Sequence, residues 1–383
     1  MPIPNELRAL AGIVVVLAGG ALGRVSAQRS EASGAGPNDV THANNVTFKS
    51  TAARLARGKY LVEGPAHCLD CHSEVEATSR PLRVVDGKKG AGRVNPVNAV
   101  TGIQVIAPNI TPDQETGAGR WTDEQFERAI RRGIGNDGRT LAPNMPYAAF
   151  NAMTDEDVAS VVVYLRSIPA VRNKLQQMKM ASEVAVVTAP LPLAGQPGPR
   201  LTNPVPTPRF LLARESSPRP SAAVQRGAYL VAIGQCIGCH SPTRAGATPA
   251  TPRTRIAGME FSGGGNFNPR IKPQGAPATY RIASSNLTPD PSGIPHYDES
   301  VFIKTIRTGG VNGVRELDTV MPWSWFRNMT DSDLRDIFAF LQGLTPAVHR
   351  IDNREPPTLC PIDGLMHGLG DHNVAPATSH AAR

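Results

Sequence analysis

The chain of 383 residues is short of aromatic residues, cysteines and long apolar runs. Phe, Trp and Tyr make up 5% of it, so a large part of any core must come from something else. Five cysteines are too few for a dense disulfide framework. The formal net charge is +8, but no basic stripe is interleaved with aromatic residues, so we expect no nucleic-acid partner. Beyond residue 27, no apolar run approaches the length of a transmembrane helix.

Four of the five cysteines belong to a motif that occurs twice. The motif C-x-x-C-H stands at residues 68–72 and again at residues 236–240. It is the attachment pattern of c-type haem: two thiols one helical turn apart reach the two vinyl groups, and the adjacent histidine places an imidazole on the iron. The sequence therefore predicts two haem c groups, which are flat and mostly apolar and would fill part of the core. The predicted thioether residues are Cys68, Cys71, Cys236 and Cys239, and the predicted iron ligands are His72 and His240.

Two other uses of C-x-x-C explain the pattern less well. A thioredoxin-like dithiol would need a βαβ setting and has no use for the following histidine. A zinc ribbon needs its second C-x-x-C about 15–20 residues after the first. Here the two motifs are a domain's length apart, so haem attachment is the better explanation.

The sequence around the first motif is repeated around the second. R-G-K-Y-L-V at 57–62 matches R-G-A-Y-L-V at 226–231, and N-I-T-P-D at 109–113 matches N-L-T-P-D at 286–290. Met-Pro at 145–146 recurs at 321–322, and Met-Thr-Asp at 153–155 recurs at 329–331. The offset stays between 168 and 177 residues. This indicates a duplicated domain rather than a short-period solenoid.

Each copy predicts three helices separated by long Gly- and Pro-rich loops. The first helix runs into C-x-x-C-H, over about 51–63 and 221–233. The second begins at Thr122, where Thr-Asp-Glu-Gln matches a capping box, and at Asp298 in the other copy. The third covers about 155–167 and 331–343, where apolar residues follow the helical period. The loops at 80–120 and 242–296 are long enough to wrap a ligand, and the haem is the expected one.

The second axial ligand separates an electron carrier from an enzyme, and methionines are the candidates. Two pairs recur eight residues apart, Met145 with Met153 and Met321 with Met329. Met153 and Met329 directly precede the threonines that cap the third helices, and we expect them to pack as hydrophobic staples. Met145 and Met321 lie in irregular loops before a proline, and we predict them as iron ligands. The alternative is that they only cover the core.

These motifs resemble those of class I c-type cytochromes, specifically diheme cytochromes that serve as subunits of membrane-associated alcohol, aldehyde and gluconate dehydrogenases. The resemblance covers about residues 50–171 and 221–348. It implies an all-α fold of two tandem cytochrome c domains with long haem-wrapping loops. It also implies His/Met ligation of both irons, by His72 with Met145 and by His240 with Met321. The dehydrogenase subunits usually carry three haem domains, whereas this sequence has two such motifs.

The remaining segments predict export. Arg8 precedes an uncharged run of 15 residues from Ala9 to Gly23, which as a helix would be about 22 Å long, shorter than the ~30 Å membrane core. Small residues before Gln28 fit a cleavage site. We therefore expect a periplasmic protein, with anchoring at the outer face of the inner membrane as the alternative. The predicted segments are a signal peptide at 1–27, a disordered lead-in at 28–50, domains at 51–171 and 221–350, a Pro-rich linker at 172–220 and a polar tail at 351–383.

The tail contains the fifth cysteine. Cys360 with His367 and His372 could bind a metal, but one thiol and two flexible imidazoles make a weak site. A free thiol able to form an intermolecular disulfide is the favoured expectation.

The expected function is electron transfer from a dehydrogenase donor to an oxidase or another cytochrome, through two haems that bind no substrate. On this hypothesis no residue is catalytic, and the chain is a carrier or an electron-transfer subunit rather than an enzyme on its own. One alternative is a diheme peroxidase or a thiosulfate-type oxidoreductase, which needs one open iron position. Another is a passive membrane-tethering subunit, which depends on the apolar N-terminus.

Overall fold

A computed structural model describes residues 48–95, 104–176, 221–244 and 255–375, and most of the regular secondary structure in these ranges is helical. The helices fall into two sets that follow the same order along the chain. In the first half, residues 48–176, they are α1 (Ala52–Glu63), α2 (Cys68–His72), α3 (Asp123–Arg132), α4 (Tyr147–Phe150) and α5 (Asp155–Ser167). In the second half, residues 221–375, they are α6 (Ala222–Ile233), α7 (Cys236–Cys239), α8 (Glu299–Thr308), α9 (Trp323–Phe326) and α10 (Asp331–Gln342).

Side-chain caps begin the six long helices where the sequence predicts them. Thr122 forms both hydrogen bonds of a capping box, one with the backbone N–H and one with the side chain of Gln125. The other caps each accept one hydrogen bond from a backbone N–H of the first turn, which satisfies a donor that the helix leaves free. These caps are Thr51, Thr154, Ser221, Asp298 and Thr330. The six predicted helices are therefore confirmed.

The first and last long helices of each half cross at a glycine. Helix α1 packs on α5, and α6 packs on α10. A Cβ atom at Gly58 would lie 1.9 Å from the carbonyl oxygen of Ser160, and one at Gly227 would lie 1.9 Å from that of Asp336. The repeated Arg-Gly pair therefore places a glycine where two helix backbones meet, because no side chain fits there.

Two kinds of small element were not predicted. Helices α4 and α9 have four residues each and are too short to show a helical period. Antiparallel two-stranded ribbons occur within the loops. They pair β1 (Arg93–Val94) with β2 (Ile106–Ala107), β3 (Asn266–Phe267) with β4 (Ile282–Ala283), and β5 (Gly310–Val311) with β6 (Arg315–Glu316).

Residues 351–375 of the predicted polar tail are folded. Strands β7 (Pro357–Leu359) and β8 (Met366–Gly368) form an antiparallel hairpin, and a 3₁₀ turn follows at Gly370–His372. Cys360 comes directly after β7 and is fully buried. An intermolecular disulfide needs an accessible thiol, so the expectation of one is wrong for this geometry. Cys360 instead packs in a small cluster with Ile256, Met259, Ala347 and Ile362.

The two halves share one apolar core, and reciprocal hydrogen bonds cross between them. The hydroxyl of Tyr60 donates to Asp333, and the hydroxyl of Tyr229, at the matching position of the second half, donates to Asp157. Asp157 also forms an ion pair with Arg57 at 2.8 Å, and Asp333 forms one with Arg226 at 2.5 Å. The contact between the halves thus has a two-fold pattern.

Some predicted segments lie outside the described residues. They are the signal peptide at 1–27, most of the lead-in at 28–50, the linker beyond residue 176 and the tail beyond residue 375. Within the described ranges, no helix combines the length and the apolar content that crossing a membrane requires.

Candidate functional site

In each half a short helix carries the C-x-x-C-H motif. Helices α2 and α7 leave Cys68 and Cys236 partly buried and Cys71 and Cys239 exposed, and all four thiols are free. Burial raises the pKa of Cys68 and that of Cys236 to about 12. Reactive dithiols work through a thiolate with a lowered pKa. Neutral thiols of this kind therefore argue against a redox dithiol and are compatible with thioether attachment.

The histidine of each motif is held so that one ring nitrogen stays available. Nδ1 of His72 lies 2.8 Å from the carbonyl oxygen of Pro108, and Nδ1 of His240 lies 2.8 Å from that of Ser285. A carbonyl oxygen only accepts, so Nδ1 carries the proton and Nε2 keeps its lone pair. Burial lowers the pKa of both imidazoles, and the hydrogen bonds to the carbonyls partly oppose it. Both histidines therefore present a neutral, oriented Nε2, as a metal ligand should.

The repeated N-x-T-P-D loops lie directly beside these carbonyls. Oδ1 of Asn109 accepts from the N–H and the hydroxyl of Thr111 at 3.0 and 2.7 Å, and Asn286 accepts from Thr288 in the same way at 2.9 and 2.8 Å. Nδ2 of each asparagine donates to a backbone carbonyl after the last long helix of its half. The motif therefore ties the loop that orients the histidine to the helical core.

A cavity of about 750 Å³ lies beside the second motif. His240, Cys236, Cys239 and Met321 all line it. Its size falls within the range of ligand pockets, roughly 300–1,000 Å³. Apolar residues of its wall include Leu230, Ile282, Leu287, Phe302, Ile306 and Leu341. Two thiols, an imidazole and a thioether around one apolar space fit a covalently attached haem.

The two methionines predicted as ligands are held alike. The backbone N–H of Met145 and that of Met321 each donate to the carbonyl of the residue three positions earlier, at 2.9 and 3.1 Å. The carbonyl oxygen of each methionine accepts at 2.8 Å from the N–H of the residue two positions later. Met321 lines the same cavity as His240, and Met145 is partly buried against the core. Their side chains therefore stay candidates for the second axial position.

The other recurring methionines are packed more tightly. Met153 is 1% exposed and Met329 is 3% exposed. Both belong to the shared apolar core, although Met329 also reaches the wall of the cavity. Their burial agrees with the predicted role as hydrophobic staples before the helix caps.

Residues of the first half reach the second site, which no sequence motif indicated. Pro65, His67, Asp70 and Arg80 contribute to the wall of the cavity. Asp70 lies inside the first C-x-x-C-H, and both of its carboxylate oxygens accept from one guanidinium nitrogen of Arg270, at 2.8 and 2.9 Å. This ion pair joins the first motif directly to a loop of the second half.

Comparison with known proteins defines the class of domain. The profile of the cytochrome c family matches residues 55–169, which run from α1 to the end of α5 and contain the first C-x-x-C-H. Residues 55–169 are therefore a cytochrome c domain, and such a domain implies haem c.

Curated relatives are similar over one or both halves. A subunit of nicotinate dehydrogenase from Pseudomonas putida is 36% identical over 195 residues, covering 50% of this chain and 14% of that protein. The cytochrome c subunit of alcohol dehydrogenase (quinone) from Gluconacetobacter polyoxogenes is 27% identical over 322 residues, covering 79% and 62%. A diheme c-type cytochrome from Cereibacter sphaeroides is 24% identical over 250 residues, covering 63% and 77%. The chain thus spans less than two thirds of the length of the first two relatives. The predicted resemblance to cytochrome c subunits of dehydrogenases is confirmed.

Proposed function

We propose that the chain is a diheme c-type cytochrome that transfers electrons between a dehydrogenase and a terminal acceptor. The observation that carries the proposal is the cavity of the second half, where His240 and Met321 line one apolar space beside two cysteines. The first half supports the same assignment, because His72 and Met145 have matching hydrogen bonds. A haem bound at each site would supply a one-electron couple whose potential methionine ligation raises.

The residues of the chain would bind, orient and shield each haem. Cys68 with Cys71, and Cys236 with Cys239, would form the thioethers. The carbonyls of Pro108 and Ser285 fix the imidazole rings through Nδ1. The apolar wall of the cavity would exclude water and limit the reorganisation that accompanies a change of charge at the iron.

We assign the second haem domain from its repeated architecture. Helices α6, α7, α8 and α10 follow the order of α1, α2, α3 and α5, with caps at corresponding positions. The Asn-x-Thr hydrogen bonds also recur. On this proposal residues 51–171 and 221–350 are the two domains, 172–220 is the linker, and 1–27 is a signal peptide that sends the protein to the periplasm.

The donor that we propose is a dehydrogenase, and the acceptor is an oxidase or another cytochrome. Two relatives are named as subunits of nicotinate dehydrogenase and of a quinone alcohol dehydrogenase. These names support a dehydrogenase partner for this chain. Association with the outer face of the inner membrane is part of the same proposal, motivated by the apolar segment near the N-terminus.

A peroxidase or thiosulfate-type oxidoreductase is the less favoured function. Such an enzyme needs one iron with a vacant or displaceable position. Met145 and Met321 have the same backbone hydrogen bonds, so these bonds do not distinguish one half as the site with an open iron position. Equivalent sites favour two electron-transfer centres.

A potentiometric titration of the full chain followed by visible absorbance tests the proposal. We expect two one-electron waves. Met145→Ala should lower one midpoint potential and Met321→Ala the other, because each removes a ligand that stabilises the ferrous iron. The packing methionines supply matched controls, since Met153→Leu and Met329→Leu should leave both potentials nearly unchanged.

Three results would contradict the proposal. Uptake of one electron per chain rather than two would show that there is no second haem. Two unchanged waves in Met145→Ala and Met321→Ala would exclude these residues as ligands. A high-spin signal in the oxidised wild-type protein, together with peroxide turnover, would make the enzyme the better explanation.

A further inference from the structure

A second group of metal-ligating side chains lies in the second half, apart from the cavity. His349 follows α10, Cys360 and Asp363 lie in the turn of the β7–β8 hairpin, and His367 lies on β8. All four are at most 3% exposed. One possible ligand atom from each lies within 4.8 Å of those of the other three. A group this close and this buried can converge on a single ion.

The hydrogen bonds orient both imidazoles toward the group. Nδ1 of His349 lies 3.1 Å from the carbonyl oxygen of Ser262, and its Nε2 lies 3.5 Å from Sγ of Cys360. Nδ1 of His367 lies 3.1 Å from the carbonyl oxygen of Gly368. In both rings Nδ1 is therefore the protonated nitrogen and Nε2 carries the lone pair. Metal-ligating histidines are typically held in this way by a second hydrogen bond.

Two polar atoms of the group have no hydrogen-bond partner within the described protein. They are Nε2 of His367 and Oδ2 of Asp363. Oδ1 of Asp363 accepts from the N–H of Leu365 at 2.9 Å, which fixes the carboxylate in the turn. A buried acceptor without a partner is costly, and native structures seldom keep one without a reason. A cation between the side chains would satisfy both atoms together.

We propose that His349, Cys360, Asp363 and His367 bind a structural Zn²⁺ ion. Nitrogen, thiolate and carboxylate ligands are those that zinc uses, and four protein ligands with no open position define a structural site. A thiolate and a carboxylate together carry two negative charges, so the ion would make a neutral group in a buried place. Copper sites of the His₂Cys type instead take a weak axial thioether or amide oxygen, and the fourth donor here is a carboxylate.

The first half supplies an internal comparison for His349. The N–H of Asn173 donates to Thr116 Oγ1 at 2.9 Å, and the N–H of His349 donates to Ser292 Oγ at 2.9 Å. Nδ2 of Asn173 donates to the carbonyl of Ala91 at 2.8 Å, which corresponds to the bond from His349 to the Ser262 carbonyl. An asparagine therefore suffices for the structural hydrogen bonds at this position. The histidine adds a second nitrogen, and that nitrogen points into the group.

The proposed ion would lie behind the loop that supports the second haem histidine. A Cβ atom at Gly264 would lie 2.6 Å from Cε1 of His349 and 2.9 Å from Oδ2 of Asp363. The neighbouring N–H of Gly263 donates to the carbonyl of His240 at 2.8 Å. Zinc would thus fasten the tail hairpin against this loop. The inference does not depend on the electron-transfer proposal, because metal content is measured on the chain itself.

Metal analysis of the purified full chain, dialysed first against zinc and then against metal-free buffer, tests the proposal. We expect about one zinc per chain in the wild-type protein and less than about 0.1 in His349→Asn, since a site with one ligand missing holds zinc weakly. His349→Asn copies the residue that the first half uses, so it should fold and keep its haem absorbance. His372→Gln is the matched control, because this exposed histidine lies in the same tail, and it should retain zinc.

A second measurement covers the case in which the variant does not fold. In the wild-type protein, alkylation of Cys360 should become at least about tenfold faster after a chelator removes the zinc. The bound metal coordinates the thiolate and holds the hairpin against the loop, so both effects protect the thiol. Wild-type protein that holds no zinc after dialysis would overturn the proposal. The same holds if His349→Asn binds as much zinc as the wild type, or if one copper per chain is found in place of zinc.

Discussion

In both halves a glycine N–H donates to the carbonyl of the C-x-x-C-H histidine, from Gly92 at 2.9 Å and from Gly263 at 2.8 Å. What lies behind the two loops differs. Behind the loop of the first half, the side chain of Asn173 donates to the carbonyl of Ala91 at 2.8 Å. In the second half His349 holds this position and lies in a cluster with Cys360, Asp363 and His367. The hydrogen bonds that support the histidine are thus the same, and the layer behind them carries a single amide in one half and a group of metal-ligating side chains in the other. The two halves therefore share the immediate support of the histidine and differ one layer further out.

The largest effect should come from the feature that the halves share most closely, the glycine at the helix crossing. Gly58→Ala and Gly227→Ala should each lower the free energy of unfolding by about 3 kcal/mol, because the new Cβ overlaps a carbonyl oxygen of the facing helix. Thermal or denaturant unfolding of the full chain would measure this. Losses that agree within about 1 kcal/mol would support equivalent crossings, within the usual spread of such measurements.

Gly343→Ala, at the residue that follows α10, is the control for this pair. A Cβ atom there would come no closer than 3.4 Å to a neighbouring atom, so the same substitution should cost almost nothing. If alanine at one crossing cost as little as alanine at Gly343, the two halves would not pack alike.

An intermediate effect is expected where the halves meet. Each of Tyr229→Phe and Tyr60→Phe removes a hydrogen bond to a buried carboxylate. The first should cost about 2 kcal/mol and the second about 1 kcal/mol, because water reaches the side chain of Tyr60 more easily. Tyr229 is 1% exposed and Tyr60 is only partly buried. Unfolding of the two variants and of the double variant measures both costs and their additivity.

Tyr147→Phe serves as the reference for removal of a hydroxyl. No acceptor for its hydroxyl is found among the described residues, so this change should be nearly neutral. Losses in Tyr60→Phe and Tyr229→Phe no larger than that of the reference would show that the reciprocal bonds contribute nothing to the contact between the halves.

The smallest effect should come from an ion pair that only the first half has. Arg54 on α1 donates to Glu156 on α5 at 2.8 and 2.7 Å, and the corresponding residues of the second half are Ala223 and Ser332. Glu156→Gln should cost about 0.5 kcal/mol at pH 7, since the carboxylate is mostly exposed. Ser332→Ala at the matching position should cost nothing.

This contribution should depend on pH in a definite direction. The hydrogen bond from Arg54 lowers the pKa of Glu156 below its ordinary value of 4.5. The stabilisation is therefore fully present above pH 4.5 and is lost as the pH falls through the lowered pKa. The difference in unfolding free energy between wild type and Glu156→Gln, followed from pH 7 downward, should shrink in that range. A difference that grows on acidification would contradict the ion pair.

The sequence predicted the long helices well because their signals are local. Caps such as Thr122 and Thr154 and the apolar period of α5 lie within a few residues of the element that they define. The same holds for the packing role of Met153, which follows from its place before a helix cap. Short elements such as α4 carried no period to detect.

The contacts between distant residues could not be predicted. Tyr60 and Asp333 are 273 residues apart, and Asp70 and Arg270 are 200 apart, so no pattern of spacing links them. The same limit applies to the tail. The sequence identifies Cys360 and His367 as metal-ligating residue types, but His349 and Asp363 join them only through the fold of the hairpin, and His372 lies outside the group. The signal that could have found His349 was its alignment with Asn173.

The reciprocal tyrosine–aspartate bonds have a consequence for how the two sites can be adjusted. In an isologous two-fold dimer, a residue i of one subunit contacts residue j of the other, and residue j of the first contacts residue i of the second. The tyrosine–aspartate contacts follow this pattern. In such a dimer of identical subunits, every substitution occurs twice. Here one chain carries both sides, so Tyr60 or Asp157 can change without the other side following. The covalent link therefore keeps the geometry of a dimer and lets each half change independently of the other.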